Sequence, residues 1–125
     1  MRRLAAIAAL AVMLTGCSSA DFGPIPVYKP RFHHYETNGF VGALRISDEC
    51  VTVDRDGETT VFLFPTNDVE WDAKTSTVTY LGKQYKDGDF IYLPAIINFG
   101  RKYGDVPEGC PSVWRVYVLS SDAPS

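Results

Sequence analysis

At 125 residues the chain has room for one domain. Aromatic residues make up 13% of it, as seven Tyr, seven Phe and two Trp, which can supply much of a small core. The formal net charge is −3; without Arg2 and Arg3 ten basic residues face fifteen acidic ones, a balance of −5. That balance and the scatter of Lys and Arg argue against a basic stripe, so no nucleic-acid partner is expected.

Met1-Arg2-Arg3 is a short positive segment, and Leu4 to Leu14 is an uncharged apolar run. The run is too short to span a bilayer, which takes about 20 helical residues, but it suits the apolar region of a signal peptide. Leu14-Thr15-Gly16-Cys17 follows. This resembles the lipobox of bacterial lipoproteins, where small residues precede a cysteine. The resemblance implies a signal-peptide helix over 1–16, cleavage between Gly16 and Cys17, and a diacylglyceryl group on Cys17 that holds the chain on a membrane. Ser18, rather than an Asp, favours the outer membrane (periplasmic side) if the host has two membranes. In a host with one, the protein would sit on the outer face of the cell membrane. A twin-arginine export signal at Arg2-Arg3 lacks its surrounding consensus.

Residues 17–37 read as a tether. Pro24, Pro26 and Pro30 forbid a regular helix and disfavour ladder pairing. Extended at about 3.1 Å per residue, some 14 residues would reach on the order of 40 Å. The rival reading packs Ile25, Val27 and Tyr28 onto the domain as an edge segment.

Residues 38–120 read as one small all-β domain, five to seven strands in an antiparallel OB-like barrel or a sandwich. Strands are expected at 40–46, 50–54, 59–64, 75–81, 89–99 and 113–119, with a short strand or bridge at 70–72. Asp56-Gly57 and Asp87-Gly88 are turn signals, and a further turn falls at Gly82. Pro94 predicts a bend or bulge. At most a short helical turn is expected near Thr66-Asn67-Asp68. Residues 100–109 form a Gly- and charge-rich loop, and 121–125 should fray.

With Cys17 lipidated, Cys50 and Cys110 remain. In an oxidising compartment they are expected to bond; two free buried thiols or a redox pair are the alternatives, the last without the usual close spacing. Gly39, Gly42, Leu44, Cys50-Val51-Thr52-Val53, Gly57, Pro65, Gly82, Gly88-Asp89 and Cys110 together resemble a group of small, uncharacterised bacterial lipoproteins. The resemblance covers residues 39–119 and implies an OB-like shape bracketed by two cysteines. It departs at Leu93-Pro94-Ala95, where paired glycines are common, and it implies no activity.

Groups with chemistry are few. His33 and His34 are adjacent, so on an extended chain they point to opposite sides and do not share a metal. Asp54, Asp56 and Glu58 lack the spacing of a calcium loop and suit a hairpin turn. Asp48 with Glu49, and Asp87 with Asp89, are carboxylate pairs near turns. No catalytic set, metal site or cofactor motif can be placed, and an enzyme is not expected. Trp71, Tyr80, Tyr85, Tyr92 and Tyr103, with Trp114, exceed what a small core needs, so some could form a platform for a glycan or peptide. The expected role is a structural or interaction module of the cell envelope, bound to a protein or to cell-wall polymer through loop 100–109 and the barrel rim. The alternative is a small-ligand binder or an inhibitor of a secreted cell-wall hydrolase.

Overall fold

The structure, a computed structural model, describes residues 21–30, 36–97, 104–113 and 115–121. The expected signal-peptide segment 1–16, Cys17, His33, His34, Tyr103 and Trp114 lie outside the described residues. Among those described, no helix forms and nine strands do. They are β1 (Val27–Tyr28), β2 (Glu36–Ile46), β3 (Val51–Arg55), β4 (Glu58–Pro65), β5 (Val69–Asp72), β6 (Thr77–Tyr80), β7 (Lys83–Tyr85), β8 (Phe90–Ile97) and β9 (Arg115–Tyr117).

Two tight turns follow directly from the sequence. Asp56 and Gly57 both have positive φ and join β3 to β4 with Arg55 opposite Glu58. Leu81 and Gly82 do the same between β6 and β7, with Tyr80 opposite Lys83. Positive φ at both central positions matches the right-handed twist of the flanking strands. At Thr66-Asn67-Asp68 the chain makes a turn closed by the Asp68 N–H on the Pro65 carbonyl.

The strands form two sheets. One runs β1-β4-β3-β2-β8, with β9 also paired to β4; the other is β5-β6-β7. The fold is therefore all-β, but the expected closed antiparallel barrel is corrected on two counts. Pairing is mixed, because β1 and β9 each run parallel to β4. The larger sheet also does not close. Among the described residues a single bridge forms between its two margins, Ala95 to Val118, so they meet there at one point. Pro94 does not break β8. Its carbonyl accepts from the Leu119 N–H, so its backbone faces away from β2 and its missing donor costs that ladder nothing.

β4 is the centre of the molecule. Residues 60–65 are all buried. Phe62 and Phe64 enter the main core, while Val61 and Leu63 enter a second cluster. A strand covered on both faces reads as a continuous apolar run rather than an alternating one. The main core draws Leu44, Val53 and Leu93 from the larger sheet and Val69, Val78, Tyr80 and Tyr85 from the smaller. The second cluster holds Tyr28, Ile96 and Tyr117, with the Cys50–Cys110 disulfide at its margin. The bond joins cysteines 60 residues apart in sequence.

The tether expectation also needs correction. Residues 24–28 do not run free. Ile25 is 1% exposed, and Val27 and Tyr28 are buried. The prolines direct the pairing rather than prevent it: the Pro26 carbonyl accepts from the Phe64 N–H and the Pro24 carbonyl from the Val51 N–H. Only the proline N–H is lost to a ladder; its carbonyl is not. The Tyr28 hydroxyl donates to the Val118 carbonyl and its ring packs edge-on against Tyr117.

Candidate binding surface

β8 alternates with period two. Ile91 and Leu93 point into the core, and Phe90 and Tyr92 point outward. β2 lies beside it with Ala43 opposite Phe90, Val41 opposite Tyr92 and Gly39 opposite Pro94. The outward row of both strands is apolar. Phe90 is 73% exposed, Tyr92 59% and Val41 53%. The Tyr92 ring lies over Gly39, where an added Cβ would come within 2.8 Å of it. Glycine at 39 thus gives the ring a flat backbone to rest on. On the β3 side the strip ends at a polar rim: Asp54, opposite Ala43, takes a 3.0 Å bond from Arg45 Nε and a 2.8 Å bond from the Thr59 hydroxyl. On the β9 side it ends where Ile96 is buried in the second cluster.

The structure redistributes the aromatic residues singled out from sequence. Tyr80 and Tyr85 are buried in the main core and form no platform. Trp71 is half-buried; it packs against that core, with its ring over Gly23. Tyr92 alone of the described set is well exposed. Phe90 and Val41 join it, and sequence reasoning missed both. Phe90-Ile91-Tyr92-Leu93 is apolar at every position, so no polar residue marks which face is wet. The Asp87-Gly88 turn just before Phe90 was the available clue, since it fixes where the strand enters. Comparison with known protein families, characterised proteins and solved structures finds no match.

Among the described residues, two clefts away from the strip are informative. A pocket of about 180 Å³ is lined by Phe40, Arg55, Asp56, Glu58 and Thr60. The Arg55 guanidinium sits 4.9 Å over the Phe40 ring and shields it. A shallow depression of about 550 Å³ on the smaller sheet is lined by Glu70, Asp72, Thr79 and Gln84 among others. Trp71 also borders it, but strand alternation turns the Trp71 side chain to the opposite face from Glu70 and Asp72. Its indole is therefore no floor for a sugar there.

Of the two carboxylate pairs, Asp87 with Asp89 is taken up by backbone. Asp87 accepts from the Ile46 N–H and Asp89 from the Lys86 N–H, both at 2.8 Å. Among the described residues no three His, Cys, Asp or Glu side chains converge as metal ligands. The described part of loop 100–109 is docked rather than projecting. Asp105 and Val27 exchange two backbone hydrogen bonds, and a Cβ on Gly104 would strike the Val27 carbonyl and the Leu63 side chain.

One polar atom is out of place. The Tyr80 hydroxyl is buried and has no hydrogen-bond partner among the described residues. Burial pushes its phenol well above the ordinary tyrosine range, and Asp68, Tyr85 and Tyr92 push the same way.

Proposed function

We propose that this protein is a lipid-anchored lipoprotein of the bacterial cell envelope whose β domain serves as an interaction module, with the β2–β8 strip of Val41, Phe90 and Tyr92 as its contact surface. The strip carries the proposal. Contiguous exposed aromatic residues with a polar rim mark interaction sites, because an apolar surface left in water is a standing free-energy cost that a partner removes. The lipobox-like Leu14-Thr15-Gly16-Cys17 supports the anchoring half, and the disulfide suits an oxidising compartment. The ligand-binder reading gains less support, since the pocket beside Phe40 is below the 300–1,000 Å³ or so of common ligand sites, and the depression of about 550 Å³ on the smaller sheet is shallow and lined mainly by polar side chains.

Each half has its own experiment. Cys17→Ala should give a folded protein that leaves the membrane fraction on carbonate washing; a variant that stays behind would sink the lipid anchor. For the surface, the triple change Val41→Ser, Phe90→Ser and Tyr92→Ser should abolish chemical crosslinks between the protein and envelope components in intact cells. Unchanged crosslinking, with the thermal midpoint also unchanged, would move the contact surface elsewhere.

A further inference from the structure

Among the described residues, the outer margin of β8 is an open edge beside the strip. Its geometry follows from the hydrogen bonds. The Leu44 N–H donates to the Asp89 carbonyl at 2.8 Å, so residues 89, 91 and 93 aim their backbone groups at β2. Phe90 and Tyr92 then aim theirs the other way. The direction is checked at Pro94, next in the same row, whose carbonyl is taken by the Leu119 N–H. The open stretch therefore starts after the Asp87-Gly88 turn and stops where β9 arrives. It contains neither Lys nor Pro, the residues that commonly protect an edge from pairing.

We infer that this edge pairs with the same edge of a second copy of the chain, antiparallel about a two-fold axis at Ile91. The inference rests on the strip being the contact surface and names what covers it. In that register Phe90 faces Tyr92 of the partner subunit, and Tyr92 faces Phe90 of the partner subunit. All four residues point their N–H and C=O groups across the axis, so each facing pair exchanges backbone hydrogen bonds. The same register sets aromatic against aromatic on the exposed face, with Val41 behind each pair. Shifting it by one residue would oppose outward-facing backbone groups to inward-facing ones. A second copy fits this window better than a long foreign strand, which would run into Leu119 at Pro94. Two windows of equal length, each closed at the same end, meet only in the two-fold arrangement. The contact is small: two aromatic side chains at about 150–250 Å² each per copy fall short of the roughly 1,200 Å² of stable complexes. The dimer is accordingly a weak one.

The test is sedimentation equilibrium of the full chain in detergent micelles over a concentration series. A monomer–dimer equilibrium is expected. Tyr92→Pro removes an outward N–H in the row where Pro94 already stands, so it should keep the fold and weaken association at least tenfold. Phe90→Lys and Tyr92→Glu should each weaken association alone, and an equimolar mixture should associate several-fold more tightly than either. A mixed pair sets the new lysine against the new glutamate at one position and keeps Phe90 against Tyr92 at the other. If Tyr92→Pro fails to fold, the mixing experiment decides. A wild-type chain that stays monomeric throughout, association indifferent to the edge changes, or mixing without recovery would each overturn the pairing. A monomeric wild type whose crosslinks still vanish in the triple-serine variant would keep the strip as a surface and assign it to a different partner.

Discussion

Tyr80 concentrates the residue-scale physics. Its ring packs edge-on to Phe64 at 5.5 Å between centroids, which is a reason to keep an aromatic there. Its hydroxyl, buried without a partner, opposes that gain, since a desolvated hydroxyl costs about 1–3 kcal/mol. Tyr80→Phe should therefore leave stability unchanged or raise it by about 1 kcal/mol in urea unfolding; a loss larger than that would mean the hydroxyl has a partner. The same group makes a pH prediction. An unfolded tyrosine ionises near 10, whereas the folded Tyr80 phenol holds its proton to higher pH. Above about pH 10 the native state then binds more protons than the unfolded state, and stability falls as pH rises. Below that pH the contribution is fully present. The alkaline decline should be shallower in Tyr80→Phe, and identical slopes would refute the assignment. Period-two reading could have placed this residue. Val78 and Tyr80 share a face, and Val78 is core, so Tyr80 belongs inside; counting aromatic residues against core size pointed the other way.

At the scale of elements, legibility followed how local the cause was. The Asp56-Gly57 turn needs only its own two residues, and the strands on either side were recognised by alternation and β-branching. β7 was missed because three residues, Lys83, Gln84 and Tyr85, carry no pattern; the ladder to β6 makes them a strand. β1 was read as tether because Pro24 and Pro26 before it were weighed as lost donors, while the structure uses their carbonyls. The parallel pairing of β9 with β4 depends on a long return through the loop before it, which nothing in residues 115–117 announces. The strip was half legible: Tyr92 was named, but its partners Phe90 and Val41 follow only from the β2–β8 register. The segment leading into β1 offers a direct check. Ile25 is fully buried in the main core, so Ile25→Ala should cost about 2–5 kcal/mol in denaturant unfolding. A cost under ~0.5 kcal/mol would return this segment to the role of spacer.

Over the whole molecule, the disulfide links the start of β3 to the segment leading into β9, and so ties the early strands to the late ones. Closing a loop of 60 residues restricts the unfolded chain by about 4 kcal/mol in the chain-entropy view. Against a total of roughly 5–15 kcal/mol this is a large share. Cys50→Ser with Cys110→Ser should lower unfolding free energy by about 2–5 kcal/mol, and a change below ~1 kcal/mol would show that the β4-centred core alone sustains the fold. The sheet explains why that share matters. Among the described residues its margins meet at a single bridge between Ala95 and Val118, so hydrogen bonding alone closes the structure weakly there.

The burial of Ile25 reaches beyond stability. In a chain held by lipid at Cys17, only residues 18–21 would be left to span the gap, because Phe22 already packs on the core and the Pro24 carbonyl is bonded to Val51; that is at most about 14 Å at 3.3–3.6 Å each. That is well under the 40 Å that an undocked tether would give. Under that anchoring the leash would keep the domain in a thin layer against the bilayer, and every copy on that membrane would share the layer. Confinement of this kind raises effective concentration without any new contact. A strand edge too small to hold two molecules together in solution would thereby meet its own kind often enough to matter.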